Sequence, residues 1–190
     1  MQRTATAPFS TRFPPGVANA WLARRWYYSA RTHRPYSVRQ IAPGDRRLLA
    51  EFALCLSRAA AERERVVLQE ITTLLFDRVI GSTQDGAVGF AALENTSAGD
   101  RVIGICAYAP SENDCAEFSV AVANSYRDEQ VGRTLLATLV RHARRVGVPK
   151  LVGRMLWSNR PMQVLAISTG FVIEPVAGDR NQRRLSLSLK

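Results

Sequence analysis

The stretch E-F-S-V-A-V-A-N-S-Y-R-D-E-Q-V-G-R, residues 117–133, decides how this chain folds. Its first residues alternate as a half-buried strand does, a polar turn follows, and a helix then begins. The helix runs on through Leu135, Leu136, Leu139 and Val140, spaced to bury one face, and Gly147 ends it. A strand that feeds a helix whose first amides point outward is a ready-made anion site, because those amides have no acceptor within the helix.

Upstream, Tyr36-Ser37-Val38-Arg39-Gln40-Ile41 alternates and reads as a first strand. Pro43-Gly44-Asp45 ends it, and Asp45 is placed to cap a helix running to about Ser57 with Leu48, Leu49, Phe52 and Leu56 inward. A second helix is expected over 66–76, after the charged run Glu62-Arg63-Glu64-Arg65, which reads as a solvated face. Strands are expected over 86–93, 102–108 and 116–123, joined by turns at 94–100 and 110–114, as an antiparallel meander. Downstream, 150–157 reads as a strand, 160–168 as a helix and 183–189 as a last strand. The order β-α-α-β-β-β-α-β-α-β is a mixed α/β arrangement, a mostly antiparallel sheet with helices on both faces.

A length of 190 residues suits one ordinary domain, and 46% apolar residues suffice for a core. Residues 1–34 stand apart as a basic, aromatic extension without an acidic residue, and 35–190 form the domain. Within the extension, 17–30 has the pattern of a basic amphipathic helix carrying Trp21, Leu22 and Trp26. A self-packing tail, a targeting peptide and an interaction arm are all consistent with it. The net charge of +10 is nearly all Arg, the only lysines being Lys150 and Lys190. Without a nucleic-acid motif, that charge does not make nucleic acid the expected partner. Cys55, Cys106 and Cys115 lack metal-type spacing, so no metal site is expected, and a reducing, cytoplasmic setting fits them. Cys106 and Cys115 flank one hairpin, but neither His33 nor His142 has the context of a partner base, so both thiols are expected in the core.

The strand, the turn opened by Arg127 and closed by Gly132, Asn159 and the Gly170-Phe171 pair together resemble the GNAT acetyltransferases. Within that superfamily, several motifs resemble bacterial Pat-type protein-lysine acetyltransferases. These are Ala116-Glu117-Phe118, Pro43-Gly44-Asp45, Gly153-Arg154-Met155-Leu156, Asn159-Arg160-Pro161-Met162 and Thr169-Gly170-Phe171. The resemblance covers about four-fifths of the chain, 35–190. It implies acetyl-coenzyme A as co-substrate and an amine as acceptor, either a protein lysine or a small amine. It assigns the general base to Glu117, which must take a proton before an ammonium can attack a thioester. Shielding by Phe118 and its neighbours is expected to tune that carboxylate. The backbone of Val120, Ala121 and Val122 is expected to meet the pantetheine arm as an added strand would. The amides of Asp128, Glu129, Gln130, Val131, Gly132, Arg133 and Thr134 are expected to face the pyrophosphate, with Arg127 or Arg133 adding charge. Asn159 is either a cofactor contact or an ordinary N-cap.

Three departures from the family pattern matter. Gln130 stands where a glycine is usual, in a turn that calls for close approach and positive φ. Asp128 and Glu129 bring negative charge to the phosphate turn. Ala166 stands where many relatives place a tyrosine that protonates the departing thiolate, and Ser168 is merely nearby. These departures leave a second reading, a GNAT-fold acyl-CoA-binding or regulatory module with impaired catalysis. Segments 58–65 and 176–184 should build the acceptor groove, and their mixed to basic character disfavours a polycationic acceptor. The segment Arg24-Arg25-Trp26-Tyr27-Tyr28 is a candidate homodimer contact.

Overall fold

The computed structural model describes residues 24–59, 79–80 and 86–189. The strands are β1 (Arg25–Tyr28), β2 (Pro35–Gln40), β3 (Val88–Thr96), β4 (Gly99–Pro110), β5 (Cys115–Val122), β6 (Lys150–Leu156), β7 (Val172–Val176) and β8 (Asp179–Ser188). The described helices are α1 (Arg46–Ala59), α2 (Val131–Arg145) and α3 (Arg160–Ser168). One sheet contains every described strand, in the order β1-β2-β3-β4-β5-β6-β8-β7. Its pairs are antiparallel except β5 with β6.

The centre of the sheet is covered on both faces, as the expected layering requires. All residues from Val88 to Glu94 on β3, and from Val102 to Ala109 on β4, are buried. On one face the Cys106 thiol meets the Leu135 carbonyl of α2, and the Tyr108 hydroxyl lies 3.0 Å from His142 Nδ1. On the other, a Cβ added to Gly89 would fall 2.8 Å from Ile41 Cδ1 and 3.6 Å from the Ala107 Cβ. Helix α1 lies against β4 and buries Leu49, Phe52 and Leu56, a one-turn spacing that sets one stripe on the core.

Several expectations are corrected. Within the segment given a helical pattern, Arg25–Tyr28 is instead an edge strand, with Tyr27 opposite Tyr36 and their rings stacked at 5.7 Å. Aromatic residues favour a pleated surface, and pairing with β2 outweighs the weak helical period. Asp45 sits inside a 3-10 turn, Pro43–Asp45, and reaches backward to accept from the Ala42 amide at 2.8 Å and from Arg39. It therefore caps that turn and not α1. Strand β7 went unread because Glu174-Pro175 breaks its alternation; a proline is tolerated there because β7 is an edge. Strand β8 is correspondingly longer than 183–189. The helix expected at 66–76 lies outside the described residues.

Candidate active site

Strands β5 and β6 run parallel for three registered pairs only: Cys115 with Lys150, Ala116 with Leu151 and Glu117 with Val152. Beyond them β5 keeps its partner β4 as far as Val122, so its other edge opens into a cleft. Residues 118–122 thus leave main-chain groups on that edge without a strand partner among the described residues. Val120, Ala121 and Val122 are half-buried along it. The wedge at the apex is the Phe118 ring. A Cβ on Gly153 would fall 2.7 Å from a Phe118 ring carbon, so glycine there lets the ring lie on β6. Phe171 packs on its other side, with ring centroids 4.9 Å apart.

Glu117 occupies the last parallel pair, at the point where the strands part. It is exposed, and the shelter expected from Phe118 is absent. Successive strand residues point to opposite faces, so Phe118 turns toward α2 while Glu117 shares the α1 face with Ala109 and Val152.

The turn after β5 is a 3-10 segment, Asn124–Tyr126, followed by two residues with positive φ, Asp128 at +65° and Gln130 at +61°. Gln130 thus adopts the left-handed conformation that favours glycine, at some cost in strain. The first helical bond of α2 runs from the Thr134 amide to the Gln130 carbonyl, 3.0 Å. The amides of Val131, Gly132 and Arg133 precede it and point out of the helix end. Arg127, Asp128 and Arg133 are exposed around them. Thr134 is engaged through its side chain, since the Tyr36 hydroxyl donates to its Oγ1 at 2.9 Å.

Glu129 does not face that opening. Only 4% exposed, it turns toward the link between β1 and β2 and accepts from the amides of Arg31 (2.8 Å) and Thr32 (3.3 Å). Those amides hold its carboxyl below the usual glutamate range, the Arg31 bond contributing most. Of the two acidic residues expected at the phosphate turn, Glu129 therefore anchors the turn instead, while Asp128 stays exposed beside the helix end. Tyr126 provides a second anchor: it is buried, and its hydroxyl accepts from Arg101, which also bridges to Glu94 at 2.5 Å. Burial pushes the Glu94 carboxyl up, but Tyr126, Arg101 and Arg34 outweigh it and leave it below its usual range. Neither anchor was found from sequence, because each partner lies far along the chain.

Asn159 is the N-cap of α3, its Oδ1 accepting from the Met162 amide at 3.2 Å. Ala166 is buried and faces the core, and Ser168 donates to the Leu165 carbonyl of its own helix. Cys106 is buried, and desolvation pushes its thiol far above the ordinary range, as befits a core residue. Cys115 is partly buried and Cys55 is exposed.

The acetyltransferase (GNAT) family model matches residues 48–166. A search of curated proteins finds no match. Among solved structures, the fold is similar to the GNAT domain of S. lividans PAT, with TM-score 0.66 and 18% identity over 93% of this chain and 99% of that one. It is also similar to a ribosomal-protein-S5-alanine acetyltransferase from Vibrio fischeri, with TM-score 0.63 and 12% identity over 87% and 97%. An acetyltransferase of the GNAT family from Streptococcus pneumoniae gives TM-score 0.62 and 16% identity over 82% and 99%.

Proposed function

The chain belongs to the GNAT acetyltransferase family, and on that premise we propose that it is an acyl-CoA-dependent N-acetyltransferase acting by direct attack of an amine on the thioester. The observation that carries this reading is the cleft between β5 and β6, with Glu117 at its apex and the first amides of α2 at its mouth. An acyl-CoA supplies an activated carbonyl and phosphate charge, and the chain has a complement for each part. The open edge of Val120, Ala121 and Val122 receives the extended arm. The amides of Val131, Gly132 and Arg133 at the open helix end hold the phosphates, with Arg127 and Arg133 alongside, whereas the Glu129 and Thr134 amides are already bonded to the Tyr126 and Gln130 carbonyls. Glu117 takes one proton from the acceptor ammonium, the freed nitrogen forms its bond to the carbonyl carbon, and the carbon–sulfur bond breaks as the nitrogen's second proton passes to solvent. With Ala166 buried and Ser168 bonded within its helix, the sulfur leaves as thiolate without a side-chain acid from α3.

The acyltransferase domain spans 35–190 in this proposal, with β1 added to its sheet from the segment before it. A homodimer through the same edge is part of the reading, because Trp26 and Tyr28 of β1 are 58% and 70% exposed. No helix among the described residues is long and apolar enough to cross a membrane. The second reading, a binding module without turnover, is favoured by Gln130, the exposed Asp128 and Ala166.

Glu117→Gln separates the two. The variant should bind acetyl-CoA as the parent does and lose roughly two or more orders of magnitude in coenzyme A release with an amine acceptor, the range expected for a general base. Equal rates in parent and variant would remove Glu117 from the mechanism. Cofactor binding without turnover in either would support the module.

A further inference from the structure

The face of the sheet that carries Glu117 continues along β6 and β8 into a row of charge. Glu117, Val152 and Ser186 stand in register across three strands. Two residues further along β6, on the same face, comes Arg154, and directly opposite it on β8 is Arg184. That row lies about 7 Å from the Glu117 row, on the side where the cleft opens. Both arginines are exposed.

Like charges directly opposite each other weaken a sheet, so this pairing lacks a structural reason. Among the described residues neither guanidinium forms an ion pair, whereas Arg24, Arg34, Arg39, Arg47 and Arg101 all do. Glu174 of β7 stands opposite Arg184 on its other side and forms no such pair with it. The neighbouring arginines are occupied differently. Arg183 and Arg160 stack on Trp157, at 4.3 and 5.3 Å from the ring centroid, and Arg183 also donates to the carbonyls of Arg180 and Gln182. Two cations thus stand uncommitted beside the base.

We infer that the acceptor amine carries a neighbouring carboxylate, and that Arg154 and Arg184 together bind it while Glu117 faces the amine. The inference rests on the proposed role of Glu117. A guanidinium pair presents planar donors suited to a carboxylate, and the spacing from the base suits an amine held several ångströms from that carboxylate. A free amino acid and a lysine flanked by acidic residues both have this chemistry. An acceptor surrounded by positive charge would be repelled.

The test is calorimetric titration, with free coenzyme A present in place of acetyl-CoA, of capped lysine peptides flanked by glutamate, glycine or arginine, and of free lysine against cadaverine, which lacks the carboxylate. The glutamate-flanked peptide, or lysine over cadaverine, should bind best; which of the two wins tells a protein source from a small molecule. In Arg154→Gln/Arg184→Gln that preference should fall about tenfold or more, the loss expected for one charge-assisted hydrogen bond. Arg144→Gln/Arg145→Gln removes the same charge from exposed sites on α2 and should leave the preference intact. Equal affinity across each series, or equal loss in both double variants, overturns the inference. Because binding is read without turnover, an acidic preference with no acetyl transfer would overturn only the acyltransferase reading.

Discussion

Gln130 shows how one residue carries both a departure from pattern and its physical consequence. Its φ of +61° is the conformation the glycine of this turn is expected to adopt, so the backbone path persists although the side chain disfavours it. Left-handed backbone at a residue with a side chain costs about 1–2 kcal/mol. Gln130→Gly should therefore raise the urea midpoint by an amount worth about 1 kcal/mol, less the extra freedom glycine gains when unfolded, and should tighten acetyl-CoA binding. Weaker binding in the variant would show that the glutamine side chain makes a contact of its own. Gly153 is the converse: no other residue fits under the Phe118 ring without displacing it, and that packing sets the apex of the cleft.

Among the elements, the strand–turn–helix from Cys115 to Arg145 was legible because alternation, a polar break and a helical stripe follow one another without ambiguity. Helix α3 has the limits read for it, with Asn159 capping it and Gly170, at φ +86°, beyond its end. What sequence did not reveal depends on distant partners. Strand β1 exists because β2 pairs with it, and Glu129 looked like a misplaced charge because its donors are ninety-odd residues earlier. The Glu129 clamp ties the β1–β2 link to the turn before α2. Glu129→Ala should accordingly speed hydrogen exchange at the Arg31 and Thr32 amides by tenfold or more while the amides of β4 keep their protection. Unchanged exchange at Arg31 would mean that the β1–β2 link holds without the clamp.

The whole molecule should be sensitive to acid at its centre. His142, 4% exposed between α2 and the sheet, is held neutral: burial lowers its pKa from 6.5 to about 4, with Arg145 adding to the effect. A depressed histidine pKa means that the unfolded chain takes up the proton first. Stability is then complete above about pH 6.5 and is lost as pH falls toward about 4. Between neutrality and pH 5 the loss should be about 2 kcal/mol, read as a lower urea midpoint. The carboxylates of Asp45, Glu94 and Asp100, all held below their usual range, add their loss at lower pH still. A midpoint unchanged between neutrality and pH 5 would show that His142 is not a buried neutral group.

At this scale too lies the claim on which the account depends, that the parted strands and the helix end form one acyl-CoA site. Calorimetric titration of the protein with acetyl-CoA, and then with free coenzyme A, tests it most directly. A one-to-one complex with each is expected, matched by Glu117→Gln, because the proposed grip is the backbone of β5 and of the turn before α2. Absence of binding to both would contradict it and would mean that Gln130 and Asp128 have closed the site.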